Sequence, residues 1–244
     1  MAEIVEMKNV SFSVQNQAIV KNFSLQFEEG KSTALVGPSG SGKSTVLKLA
    51  AGLLVPLEGN VSFRGRDILT MSRKENLDFR REASMVFQDS ALWSNISLYQ
   101  ILELPLQIHF PGITADETDK RIKDILLEVG YKRELDIRPS QLSMGEQKLI
   151  AFARAMMTSP NLLFLDEWTE SLDENAARRL MNLVKTHREE NKTVIFVSHN
   201  FRIVRNLADY VIMIAGGRLS MKLSREQMDE DEDLARFVEK GISA

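Results

Sequence analysis

The sequence predicts an α/β fold with a mostly parallel sheet, on three observations. A short apolar run, Thr33 to Val36, leads into a glycine-rich loop and then a second apolar segment, Val46 to Ala51, which is the order strand, loop, buried helix. The runs Leu162 to Leu165 and Val194 to Val197 are apolar without alternation, as expected of strands covered on both faces. A helical segment separates these two runs, and strands that alternate with helices pair in parallel.

Composition agrees. With 43% hydrophobic and 27% charged residues, the 244-residue chain has ordinary globular usage, which excludes a disordered chain or a coiled coil throughout. The 31 basic and 34 acidic residues give a net charge of -3, so no broad basic footprint for nucleic acid is expected. Cysteine is absent, which excludes disulfides, thiolate nucleophiles and zinc sites with cysteine ligands. No secretory signal is visible at the start, and no apolar run nears the roughly 18 residues of a membrane span.

Residues 4–27 tend to alternate apolar and polar: Val10, Phe12 and Val14 share a face, Gln15-Asn16-Gln17 interrupt, and Phe23, Leu25 and Phe27 resume. An antiparallel hairpin is expected there. Gly59 to Arg64 and Ser84 to Phe87 read as short strands, and Ser97 to His109 as an apolar helical stretch interrupted by Pro105. Thr114 and Glu117 make a capping box for a helix that reaches Val129 and ends at Gly130. Another helix follows Ser143, and Asp173 caps one that extends to about Glu190. Tyr210 to Ala215 and Leu219 to Leu223, joined across Gly216-Gly217, resemble a closing hairpin. The acidic run from Asp229 suits a helix start.

Gly37-Pro38-Ser39-Gly40-Ser41-Gly42-Lys43-Ser44, followed by Thr45, matches the phosphate-binding loop pattern, and the strand before it and helix after it are the context that pattern needs. Glycines let successive N–H groups turn toward phosphate oxygens, and the helix start adds a favourable dipole. Lys43 would neutralise the β- and γ-phosphates and the Ser44 hydroxyl would ligate Mg²⁺, so ATP and Mg²⁺ are the expected cofactors. The run Leu162 to Leu165 delivers Asp166 and Glu167 at a strand's C-terminal end, where ligands bind in open α/β sheets. Asp166 would hold Mg²⁺, directly or through water, and Glu167 would take the proton of the attacking water.

With these motifs, Leu142-Ser143-Met144-Gly145-Glu146 resembles the signature Leu-Ser-Gly-Gly-Gln of the ATP-binding cassette family. The resemblance implies that Ser143 and Gly145 close over a nucleotide held by the phosphate loop of a second ATPase subunit, giving a head-to-tail homodimer. Met144 replaces the first glycine and Glu146 the glutamine. Gln88 resembles the glutamine that senses Mg²⁺ and the attacking water, and His199 resembles the switch histidine that contacts the γ-phosphate. Glu170-Ser171-Leu172-Asp173 resembles the loop that crosses the dimer interface.

An aromatic residue that stacks on adenine is expected near the end of the first strand. Val14 stands at that position, and Phe12, two residues earlier on the same face, either takes the role or packs in the core. Trp168 replaces the family's proline and would pack on a neighbouring subunit or on the sheet. The implied architecture is a P-loop NTPase core with an N-terminal antiparallel β subdomain from residues 1–88 and 160–224. An inserted α-helical subdomain would occupy 89–159 and a helical extension 225–244.

Outside the catalytic motifs, Met71-Ser72-Arg73, Ser84 to Gln88 with Ala91-Leu92-Trp93, Leu104-Pro105-Leu106 and the ending Ala235 to Ile242 are most similar to ATPases of Mla/MCE-type phospholipid transport systems. That resemblance implies a peripheral subunit on the cytoplasmic face of the inner or plasma membrane, bound to an integral permease and working with an MCE-type lipid-binding protein. Trp93, Leu98 and Leu102 would anchor the permease or pack inside the helical subdomain. The alternatives are a lipoprotein-release or other export ATPase, or a soluble cassette ATPase acting on nucleic acid or ribosomes. The single, mildly acidic cassette disfavours the last.

Overall fold

The computed structural model describes residues 2–243, which form two compact units: one runs to Asn76 and resumes at Arg188, and the other is Leu77–His187. In chain order the elements are β1 (Glu3–Val14), β2 (Gln17–Glu28), β3 (Ser32–Val36), α1 (Lys43–Ala50), β4 (Glu58–Phe63), β5 (Arg66–Asp67), α2 (Arg73–Glu82) and β6 (Ala83–Val86). There follow α3 (Leu98–His109), α4 (Ala115–Val129), α5 (Met144–Met156), β7 (Leu162–Asp166), α6 (Glu174–Glu189), β8 (Thr193–Val197), α7 (Phe201–Leu207), β9 (Tyr210–Ala215), β10 (Arg218–Ser224), α8 (Arg225–Glu230) and α9 (Glu232–Ser243).

The first unit opens with the expected hairpin. Phe23, Leu25 and Phe27 of β2 are buried while Ser24 and Gln26 between them are exposed, the alternation that fixes strand register. Gln15 and Asn16 both have positive φ, 48° and 64°, and form the two-residue turn whose twist matches the strands it joins. β1 also pairs antiparallel with β4, and β4 with β5, in the order β2-β1-β4-β5. The second layer of this unit is built on β3, every residue of which is buried. It pairs in parallel with β8 on one side and β9 on the other, and β10 returns antiparallel to β9 across Gly216-Gly217. Asp209 ties this layer together: its carboxylate accepts from the Ser32 amide at 2.9 Å and from the Arg188 guanidinium.

The second unit holds the parallel pair β6 and β7 with the helices α3, α4 and α5. Leu98, Ile101, Leu102 and Leu106 of α3, Ile122 and Val129 of α4, and Ile150 and Phe152 of α5 are almost fully buried. Ser97, Thr114 and Ser143 each cap their helix through a reciprocal box with Gln100, Glu117 and Glu146. Helix α3 differs from expectation in running unbroken through Pro105. The proline removes only the N–H that would reach the Ile101 carbonyl, and the buried leucines on either side hold the helix across the gap.

Candidate nucleotide site

The phosphate loop leaves the end of β3 as a chain of left-handed glycines: φ is +143° at Gly37, +74° at Gly40 and +99° at Gly42. Gly37 and Gly42 are required by close approach. A Cβ at Gly37 would lie 2.1 Å from the Ile214 carbonyl oxygen, and one at Gly42 3.0 Å from that of Ile19. Gly40 faces open space, with nothing within 4 Å of a Cβ. The Lys43 ammonium curls back over the loop and donates to the Gly37 and Pro38 carbonyls, each at 2.8 Å. Ser41 contributes a buried hydroxyl that makes no hydrogen bond among the described residues. The glycine turn, open at Gly40, the folded-back lysine and the start of α1, which carries Ser44 and Thr45, make a cradle for phosphate.

In the second unit β7 ends in the two acidic residues. Asp166 is 1% and Glu167 4% exposed, and Glu167 sits at φ +43°, a conformation that costs a non-glycine residue energy and clusters at functional sites. Gln88 follows β6, and its side-chain amide donates to Glu170 at 3.1 Å.

Sequence reasoning missed the buried cation beside these groups. Lys148 of α5 is buried, and its ammonium donates to the carbonyls of Phe87, at 3.2 Å, and Gln88. Burial pushes its pKa below the ordinary value, against the opposing pull of Glu170, Asp166, Asp89 and Glu167. Six residues further along α5, the Arg154 guanidinium donates to the carbonyls of Ala91 at 2.6 Å and Ser90 at 3.3 Å. Both carbonyl-bearing residues have positive φ. The available signal was a cation, Lys148, placed among the otherwise apolar buried positions of α5.

Ser143 caps α5, and Met144 beside it is 71% exposed. Gly145 is needed where it stands, since a Cβ would approach the Ser171 carbonyl oxygen to 2.9 Å. The signature is thereby set against the loop at 170–173.

The remaining expectations have mixed outcomes. His199 lies exposed past the end of β8, with Nδ1 3.5 Å from the Ile242 carbonyl oxygen of α9. Phe12 is half-buried opposite Val20 in the hairpin, and Val14 is exposed. Trp168 is fully buried, its ring 6.0 Å from that of Phe152, so it packs in the interior rather than on a neighbouring subunit. Leu98 and Leu102 are core residues of α3 and not surface anchors; Trp93 alone of the three is exposed, covered on one side by Arg154 at 5.5 Å. Among the described residues no helix is long and apolar enough to cross a membrane.

A phosphate cradle after a buried strand, with a buried acidic pair at the end of a second strand, defines a nucleotide-hydrolysing protein of the phosphate-loop class. The ABC transporter family model matches residues 20–170, and the chain belongs to that family: it is an ATP-binding ABC ATPase, the class that hydrolyses ATP. It is 34% identical over 236 residues to the intermembrane phospholipid transport ATP-binding protein MlaF of Haemophilus influenzae, covering 95% of this chain and 88% of that one. It is 33% identical over 215 residues to the methionine import ATP-binding protein MetN of Clostridium acetobutylicum, covering 88% and 67%. The nickel import ATP-binding protein NikE of Shigella flexneri is 35% identical over 210 residues, covering 84% and 78%. Among solved structures, a dimeric ATP-binding cassette in a post-hydrolysis state with ADP and phosphate superposes with a TM-score of 0.83. It is 29% identical, covering 91% of this chain and 99% of that one.

Proposed function

We propose that this chain is the ATPase subunit of a phospholipid transport system, peripheral on the cytoplasmic face of a membrane. There it would work as a head-to-tail homodimer bound to an integral permease and coupled to an MCE-type lipid-binding protein. The observation that supports the substrate is the match to the phospholipid transport protein, 34% identical over 236 residues and 95% of this chain. The dimeric cassette with ADP and phosphate supports the pairing.

In this reading residues 1–88 and 160–224 form the ATP-binding core, 89–159 the helical subdomain and 225–244 the extension. Gly37 to Thr45 orient the phosphates, Lys43 neutralises them, and Phe12 lies against the base. Glu167 takes the proton from the attacking water, Gln88 and His199 position that water and the γ-phosphate, and Ser143 and Gly145 of a second copy close the site. The donors for a cation, the Ser44 hydroxyl, the Gln88 amide oxygen and the Asp166 carboxylate, are all oxygen and suit Mg²⁺. When bound, Mg²⁺ offsets the charge of the β- and γ-phosphates.

Two measurements test this. Glu167→Gln should retain ATP binding, accumulate an ATP-bound dimer and slow hydrolysis at least about 100-fold; hydrolysis at the native rate would remove Glu167 as the base. Affinity purification of the chain from detergent-solubilised native membranes, read by mass spectrometry, should recover an integral permease together with an MCE-domain protein. Recovery of a permease with an amino-acid or metal-ion binding protein would overturn the phospholipid assignment, and recovery of ribosomal or DNA-associated proteins alone would overturn transport.

A further inference from the structure

We propose that Arg133 is a positioning residue of the signature, whose guanidinium neutralises the Glu146 carboxylate so that the start of α5 can meet the γ-phosphate of a second copy. The proposal rests on the paired reading above. In that reading an anion must arrive at Ser143 and Gly145, yet Glu146 places a carboxylate at the same helix start. Its Oε2 accepts from the Ser143 amide at 2.8 Å and from the Ser143 hydroxyl at 2.9 Å, while the Glu146 amide donates back to the Ser143 oxygen at 3.2 Å. The hydroxyl hydrogen that would serve the phosphate is thus committed to a carboxylate, and that carboxylate is held in its ionised form by these bonds. Two anions cannot share a small, closing interface without a cation between or beside them.

Arg133 supplies that cation from the segment between α4 and α5. One guanidinium nitrogen lies 3.2 Å from each Glu146 oxygen and 3.2 Å from the Gln141 carbonyl oxygen. The third contact fixes the arginine to the loop immediately before the signature, so the charge stays with the helix start rather than sweeping through solvent. Both side chains are partly open, 41% and 29% exposed, as a group that must meet a second molecule requires. The helix dipole favours the phosphate, the carboxylate opposes it, and the arginine removes the opposition.

The test is a charge cycle in the Glu167→Gln background, with ATP-dependent dimer formation followed by light scattering. Arg133→Gln should weaken the ATP-bound dimer about tenfold or more, most at low salt, while unfolding in urea changes little. Glu146→Gln should dimerise at least as tightly as the parent, and the double variant Arg133→Gln/Glu146→Gln should return to within about twofold of it. Arg133→Lys, which keeps the charge, should retain most of the affinity. A parent that dimerises with ATP alongside an indifferent Arg133→Gln would overturn this inference alone. A double variant as weak as Arg133→Gln would also overturn it, because the arginine would then act through something other than the Glu146 charge. A parent that stays monomeric with ATP would overturn the paired reading and this inference with it.

Discussion

Lys148 is 3% exposed, yet its ammonium serves two backbone carbonyls rather than a single carboxylate. A buried cation is tolerated only where such bonds and nearby negative charge replace water, and here Asp166, Glu167 and Glu170 provide the charge. Lys148→Met keeps the stem and removes the donor, leaving the carbonyls of Phe87 and Gln88 to lose a bond they now make. The expected loss is about 1–3 kcal/mol of stability in urea unfolding. Since one of those carbonyls belongs to Gln88, the ATPase kcat should fall several-fold with little change in KM for ATP; a loss of stability with kcat intact would make Lys148 a packing residue only. Gly145→Ala is the companion case. Its Cβ would meet a backbone oxygen at 2.9 Å, which cannot rotate away, so the signature must shift or the chain lose about 1–3 kcal/mol.

At the scale of elements, five of the helices are started by reciprocal caps, and these divide by chemistry. Ser97 and Ser224 pair with Gln100 and Gln227, whereas Ser72, Thr114 and Ser143 pair with Glu75, Glu117 and Glu146. In the glutamate caps, hydrogen bonds from the cap backbone and hydroxyl are the leading causes that lower the carboxyl pKa below the ordinary 4.5. A carboxylate whose pKa is depressed by folding stabilises the fold above its ordinary value, and the contribution disappears as pH falls toward the lowered one. The protein should therefore lose thermal stability below about pH 4.5 through these caps. Glu117→Gln should melt slightly below the native chain at pH 7 and converge with it by about pH 3. Parallel Tm curves through that range would mean that the Glu117 charge adds nothing.

The same caps explain what was legible in the sequence. Thr114, Glu117 and Gly130 mark both ends of α4 because capping is local chemistry. The buried strands β3, β7 and β8 are legible because covering on both faces demands unbroken apolar runs. Helix α2 was not read: it buries only Phe79, so it has no apolar period, and Ser72 with Glu75 was its one signal. The phosphate loop was readable because glycine, lysine and serine act through positions next to each other in the chain. Lys148, Arg154 and Arg133 were not, because each works on a partner tens of residues away or in a different element.

For the whole molecule, what matters is how nucleotide chemistry reaches a surface that a permease can hold. The segment between β6 and α3 carries Gln88 at one end and Trp93 near the other, and α5 grips it twice, with Lys148 at Phe87 and Gln88 and with Arg154 at Ser90 and Ala91. The same helix begins with the signature, so a shift of α5 carries the glutamine segment with it. Trp93 is the large aromatic side chain this segment leaves in the open, 47% exposed and stiffened by the guanidinium stacked on it. Aromatic side chains of this kind dominate the energetics of interfaces when they are pre-positioned. Trp93→Ala should weaken binding to the detergent-solubilised permease by about 2 kcal/mol, roughly 30-fold, and abolish stimulation of hydrolysis by the complex. The basal ATPase of the isolated subunit should stay within about twofold of native, since Trp93 does not touch the nucleotide groups. If the variant co-purifies with the permease as well as the native chain and is stimulated equally, the coupling surface lies elsewhere, and the double grip of α5 serves only to hold Gln88.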